Sequence, residues 1–344
     1  VPMILVNGSK GIGTGFSTDI PCFNPKQIVE YLIAKIKNKS TSQLNIDVYY
    51  QGFKGTIEKV EAQKYLIRGV YEIVDAKTVH ITELPVGTWT DSYKAYLEKM
   101  IYGNGKKKKD CLIRDYIDMS TDRTVDITVT FANGKISSLL AKQEDYGCNG
   151  LEKILKLYTT KTTTNIHVFD ENEKLRKFAG PKEIIDHFID VRYSIYVKRK
   201  KAQLKQLEKD ALKLSNRAKY ILETLSSKID LRGKKNNQVS ELLKSREYSI
   251  IDDDDKYSYL VKMPMDSVTE ENVEKILKER DNKNAEVNIL KGTSENQLWL
   301  NELDTFMKNY KAYLKNRTSL DNECKSSKKT KKSAKRKKKV KLVK

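Results

Sequence analysis

The stretch Pro2-Met-Ile-Leu-Val-Asn-Gly-Ser-Lys-Gly-Ile-Gly-Thr-Gly-Phe-Ser17 decides how the chain is read. Its apolar run, Met3 to Val6, has the look of a buried strand. The run gives way to a loop holding Gly8, Gly11, Gly13 and Gly15. Glycine lets a backbone approach a flat or charged partner closely. Ile12 stands between two of these glycines. An isoleucine on such a loop is either a packing residue or a wedge, of the kind that DNA-bending proteins push between base pairs.

A strand entering a glycine-rich turn also describes a dinucleotide-binding loop, and Gly8-Ser-Lys-Gly11-Ile-Gly13 resembles the phosphate loop of short-chain dehydrogenases. The rest of the chain decides against it. Such a fold needs alternating strand and helix units after the loop, and an acidic residue about 20 positions on. Here one helical segment is followed by a strand-rich stretch and then by very long helices. The dehydrogenase-like pair Tyr196-x-x-x-Lys200 falls in a charged helical run.

Downstream of the loop, Pro25 to Lys37 is expected to be a helix, with Ile28, Val29, Leu32, Ile33 and Ile36 at helical spacing. Residues 45–170 alternate with a period near two in Thr56–Val60, Tyr65–Tyr71, Thr78–Thr82 and Thr124–Phe131. Helices are expected at Thr90–Met100 and Gly150–Leu157, and a further strand at Asn165–Phe169. This is an α+β pattern with a mostly antiparallel sheet.

From Pro181 the chain reads as helix to Ser226 without a breaker. Leu204, Leu207, Ala211, Leu214, Ala218, Ile221 and Leu225 recur at spacings of three and four, an a/d seam. Val273, Leu277, Arg280, Asn284 and Val287 repeat that logic. Between the two runs lies a compact insert, Lys228 to Thr269, which includes Asp252–Asp255. The pattern is that of a long antiparallel coiled-coil arm with a small head, or of a plain helical bundle. An arm of about 40 residues per helix would project some 60 Å at about 1.5 Å per residue. Its head then needs a partner to pack against. Asp252–Asp255 lacks the spaced ligands of a cation loop and reads as a solvated turn.

The chain carries a net charge of +20 over 344 residues, and Lys325 to Lys344 holds twelve Lys or Arg and no acid, which leaves +8 for residues 1–324. That tail is expected to be a disordered basic arm for phosphate binding or nuclear import. Shorter basic runs occur at Lys106–Lys109 and Lys198–Lys201. No apolar run approaches the roughly 20 residues of a membrane span, and no signal peptide is recognisable. Cys22, Cys111, Cys148 and Cys324 lack metal or disulfide spacing, which favours a reducing compartment. His80, His167 and His187 are far apart in sequence and read as ordinary strand or helix residues. Val1 begins abruptly in the apolar run, as a fragment would.

The chain resembles the middle-to-C-terminal part of the cleavage core of eukaryotic-type (type IIA) DNA topoisomerases. The resemblance is carried, in family order, by Pro2–Gly8 with Gly11-Ile-Gly-Thr-Gly15, Phe53-Lys-Gly-Thr-Ile-Glu58, Ile81-Thr-Glu-Leu-Pro-Val86 with Thr88-Trp-Thr90, and Leu298-Trp-Leu-Asn-Glu-Leu-Asp-Thr-Phe306. Val168-Phe-Asp170, Phe188-x-x-x-Arg192 and Tyr257-x-Tyr-Leu260-x-x-Met263-Pro264 add to it.

The resemblance implies an α+β tower domain, a coiled-coil arm with a dimerisation head, and a disordered basic tail. Residues 1–44 would end the winged-helix region and start the tower, and 45–180 would be the tower. Residues 181–226 and 270–320 would be the arm, 227–269 the C-gate head, and 321–344 the tail. It implies an ATP-dependent enzyme that breaks one duplex, passes another through and reseals it, as a homodimer with Mg2+ and ATP in the full-length protein. The partner is double-stranded DNA; no membrane is involved. Ile12 would intercalate, Trp89 would contact DNA, and Lys10 and Lys54 are candidate phosphate contacts. The nucleophilic tyrosine, metal site and ATP site are expected upstream of Val1, so this stretch would bind neither cofactor. Arg192-Tyr193 lies on the long helix and is a decoy. A nuclear location is implied, or host cytoplasm for a viral member.

Three positions depart from the family pattern: Lys10 where an acid is common, Phe16 for a tryptophan, and Gly87 for an arginine. Two other classes remain distinguishable. An architectural DNA-binding protein would bend DNA with no tyrosine upstream. A coiled-coil interaction protein would bind DNA only through its tail.

Overall fold

The computed structural model describes residues 1–102, 111–251, 254–264 and 270–341, the side chains of 270 and 321–341 excepted. The basic run Lys106–Lys109, and Asp252 and Asp253 of the acidic turn, lie outside the described residues. Two compact units form, Val1–Ile189 and Asp190–Lys344.

In the first unit the opening apolar run is a short helix, α1 (Met3–Asn7), and not the expected strand. Pro2 gives it an extended entry, and Leu5 alone of its residues is buried, so the run needs one covered side and not two faces. The glycine segment, expected as a loop, is largely a hairpin. Here β1 (Ser9–Ile12) pairs antiparallel with β2 (Ser17–Ile20), from Ser9 opposite Ile20 to Ile12 opposite Ser17. Next comes α2 (Pro25–Ile36), with Pro25 at its first turn and the Asn24 side chain accepting the Lys26 N–H at 3.0 Å. Its buried residues include Ile28, Val29, Leu32 and Ile36, as the spacing predicts, together with Tyr31, while Ile33 is only partly buried.

Two antiparallel sheets follow. β3 (Thr56–Glu61), β4 (Lys64–Arg68) and β9 (Tyr158–Thr162) form one, in that order. β5 (Val70–Ile73), β6 (Thr78–Glu83), β8 (Ile127–Phe131) and β7 (Ile113–Asp118) form the other, in the order β5-β6-β8-β7. The stretch Tyr65–Tyr71, expected as one strand, is divided at Gly69 between the two sheets. A Cβ on Gly69 would stand 2.4 Å from the Glu83 carbonyl oxygen, so the switch needs a residue without a side chain.

One face of the four-stranded sheet makes the main core. Alternation along β8 buries Ile127, Val129 and Phe131 and leaves Thr128 and Thr130 partly exposed. Val79, Ile81, Leu97, Leu151 and Leu155 are fully buried in the same cluster, with α3 (Thr90–Tyr102), α4 (Lys135–Leu140) and α5 (Gly150–Ile154) contributing to it. Each such aliphatic side chain contributes about 1.5–3 kcal/mol. A last hairpin joins β10 (His167–Phe169) to β11 (Leu175–Lys177).

Helix α6 (Pro181–Leu225) contributes its first residues to the first unit and the rest to the second. The second unit adds α7 (Asn236–Ser245), α8 (Ser258–Val261), α9 (Glu270–Gly292) and α10 (Glu295–Lys341). The second long run is thus interrupted at residues 293–294. Lys200 Nζ donates to the freed Thr293 carbonyl at 2.7 Å, and Ser294 Oγ accepts the Gln297 N–H at 3.2 Å. Lys291 pairs with Glu208 at 2.6 Å, while Arg217 and Ile276 line one small cavity. Positions on α9 fall as those on α6 rise, so these helices lie antiparallel. On α10, Trp299 stacks on Tyr196 of α6 at 5.2 Å, and Arg199 meets Glu302 at 2.5 Å. Tyr220 of α6 gathers with Ile229, Val239, Leu243, Tyr248, Tyr257 and Leu260, from the segment that joins α6 to α9, in a small core. The tail, expected to be disordered, continues the α10 backbone to Lys341. Its lysines and arginines are good helix formers, and Pro and Gly are absent there.

Candidate nucleic-acid interface

Ile12 ends β1 beside the turn of the first hairpin and is 94% exposed. Within this chain the isoleucine is not packed. The turn is closed by the Gly13 N–H, which donates to the Phe16 carbonyl at 2.8 Å. Gly15 has φ +84°, a left-handed conformation costly for residues with a Cβ. At Gly13 a Cβ would lie 2.9 Å from the Phe16 ring, so this glycine lets the ring fold over the turn. Gly8 sits at the hairpin base, and Gly11 has open space where a Cβ would be. Lys10 is exposed on β1, in register with Asp19.

The hairpin is fastened along β2. Lys161 Nζ meets Asp19 Oδ1 at 2.5 Å, and the Asp19 N–H donates to the Asn165 carbonyl at 2.9 Å. The Asn165 amide donates to Ser17 Oγ at 2.9 Å, and His167 Nδ1 lies 3.1 Å from the Ser17 carbonyl. Phe169 sets its ring edge-on to Phe16, at 5.8 Å and 87°. Nothing local in the sequence marks these partners as functional. The matched motif Val168-Phe-Asp170 is the available signal.

Trp89 is 77% exposed on a separate support, the turn leading into α3. The Thr88 N–H donates to the Pro85 carbonyl at 3.0 Å, and the Trp89 carbonyl accepts the Tyr93 N–H at 2.9 Å. Tyr93 is anchored in the core, its hydroxyl donating to the Leu155 carbonyl at 2.7 Å. Gly87 has φ +91°, so the arginine common at this place in the family would be strained here. Lys54 is exposed on the loop before β3. Its backbone and its charge both act on Glu83 at the end of β6. Burial pushes the Glu83 carboxyl up, against the pull of Lys54. Lys54 is thereby tied to the strand end just before the Trp89 turn. The structure thus presents Ile12 and Trp89 exposed at hydrogen-bonded turns, with Lys10 on the same strand as Ile12 and Lys54 acting on the strand end that precedes the Trp89 turn.

The sequence matches the family model for DNA gyrase/topoisomerase IV (the A-type subunit) over residues 1–304. It is 33% identical over 348 residues to DNA topoisomerase 2 of Arabidopsis thaliana, covering 90% of this chain and 23% of that protein. DNA topoisomerase 2-alpha of Gallus gallus is 33% identical, with 89% of this chain and 21% of that protein covered. The DNA topoisomerase-like protein cin-4 of Caenorhabditis elegans is 31% identical, with 89% and 41% covered. Among solved structures, the Plasmodium falciparum topoisomerase II DNA-binding, cleavage and re-ligation domain matches with a TM-score of 0.78 at 31% identity. That match covers 91% of this chain and 45% of the other. The chain belongs to the DNA gyrase/topoisomerase IV family, on the side of its A-type subunit. It spans between 21% and 41% of the length of these curated relatives.

Proposed function

We propose that this chain is the DNA-bending and dimer-forming part of a type II DNA topoisomerase, which makes a transient double-strand break, passes a second duplex through and reseals the first. The observation that carries this reading is Ile12, 94% exposed on a braced hairpin in a chain of this family. Inserted between base pairs, its side chain would unstack one step at a cost of a few kcal/mol, offset by the backbone contacts that a bent duplex gains. Trp89 would lay its ring against sugar and offer its indole N–H to phosphate, and Lys10 and Lys54 would supply charge.

Residues 1–44 are assigned to the end of the winged-helix region and the start of the tower, and 45–180 to the tower. Residues 181–226 and 270–320 are assigned to a coiled-coil arm, 227–269 to the C-gate head of a homodimer, and 321–344 to a basic tail. The antiparallel contacts of α6 with α9 support the arm. Among the described residues no group of three or more His, Cys, Asp or Glu converges as a metal site would require. The resemblance assigns Mg2+ and ATP chemistry, with the nucleophilic tyrosine, to other parts of the full-length enzyme. A nuclear location fits the basic tail.

The test is the DNA bend angle, measured by energy transfer between labelled duplex ends. Ile12→Ala is expected to lower the bent-to-straight ratio and leave the melting temperature unchanged, because the side chain stands in solvent and packs on nothing. An unaltered bend would refute the wedge.

A further inference from the structure

A two-stranded hairpin alone is marginal in water, yet Ile12 is carried well out from its support. What fixes its direction lies far away in sequence. The salt bridge from Lys161, both polar links from Asn165, the His167 contact and the Phe169 ring all reach β2 or the turn from one segment, residues 161–169. From Phe169 the contacts run without a gap to the wedge. Phe169 packs on Phe16, the Phe16 ring covers Gly13, and Gly13 adjoins Ile12. Phe169 is itself 57% exposed, so it is no core residue. Its described ring contact is the one that braces the hairpin.

We infer that Phe169 and Asn165 are positioning residues that set the angle at which Ile12 enters DNA, an inference resting on the wedge reading above. Without the brace the hairpin still forms but swings, and less of the wedge population meets the base step correctly. Removing one aromatic pair is expected to lower the bent-to-straight ratio about three- to tenfold.

The experiment compares Phe169→Ala, Asn165→Ala, Phe169→Tyr and Ile12→Ala in the 344-residue chain, on an intact duplex and on one nicked at the bend. Phe169→Ala should reduce bending on the intact duplex, with the melting temperature unchanged. It should recover on the nicked duplex, where stacking no longer resists the kink, and Phe169→Tyr should restore bending on the intact one. Asn165→Ala keeps the ring pair and tests the same brace separately, with a smaller loss. If Ile12→Ala reduces bending while Phe169→Ala and Asn165→Ala do not, the positioning role is overturned and the wedge stands. If Ile12→Ala changes nothing, both fall. Equal losses by Phe169→Ala on both duplexes would mean direct DNA contact and would also overturn the positioning role.

Discussion

Single residues in this chain are set by the space and charge immediately around them. A Cβ at Gly13 would displace the Phe16 ring, and one at Gly87 would strain a left-handed backbone. Asp118 shows the same logic in charge. Burial alone would raise its carboxyl, but the Lys94 ammonium at 2.8 Å and the Ser120 N–H at 2.9 Å hold it at about 2. The pair links the end of β7 to α3. The carboxyl is held below the ordinary value of 3.8, so the folded state binds its proton less readily than the unfolded chain. The contribution is therefore complete above about pH 4 and is lost as the pH falls through about 2. Asp118→Asn should flatten that part of the acid transition. Melting temperatures from about pH 5 to about pH 2 should converge for the two proteins, with the parent ahead at the upper end. Parallel curves would show that the ion pair contributes nothing. The expected difference is under about 1 kcal/mol, because Lys94 remains a third exposed.

Among elements, the contacts of α6 with α9 and α10 separate strong from weak interactions. Trp299 is 2% exposed and stacks on Tyr196, whereas the Lys291–Glu208 pair is more than half exposed on both sides. Trp299→Ala should cost about 3–5 kcal/mol through the cavity it leaves. Glu208→Gln should cost well under about 1 kcal/mol. Chemical denaturation of both variants checks the order, and equal costs would mean that charge and not packing joins these helices. The same contrast explains what is legible in the sequence. Helices α2 and α6 are readable because their apolar spacing is local. Met3–Val6 is not, since four apolar residues suit a strand or a short helix equally. β9, Tyr158-Thr-Thr-Lys-Thr162, escapes a pattern reading because it is polar, and β7 because Arg114 and Asp115 interrupt its apolar pattern. The division of Tyr65–Tyr71 depends on Glu83, which no local pattern shows. At the candidate interface, Ile12 and Trp89 are legible from motif and resemblance. Their supports are not, because Lys161, Asn165 and His167 reach the hairpin across 142 to 150 residues.

Across the whole molecule, charge is divided between a modestly basic body and a strongly basic end. Residues 1–324 carry +8 and Lys325–Lys344 carry twelve positive charges. Both would be drawn to phosphate, and each phosphate neutralised releases counterions, so affinity falls with salt. The two surfaces differ in what they ask of the duplex. Lysines along the end of α10 accept any phosphate array, whereas Ile12 and Trp89, in the role proposed for them, would require a bent duplex. Deleting 325–344 should therefore weaken binding and make the plot of log affinity against log salt shallower, by about 0.9 for each phosphate the tail had neutralised. Bending by the protein that remains bound should be unchanged. Titration of labelled duplex at several salt concentrations, with energy transfer read at saturation, separates the two effects. Complete loss of binding on deletion would place all DNA affinity in the tail and leave the hairpin and the Trp89 turn without a duplex to act on. An unchanged slope would show instead that the tail's charge is not directed at DNA, and that the body alone holds the duplex.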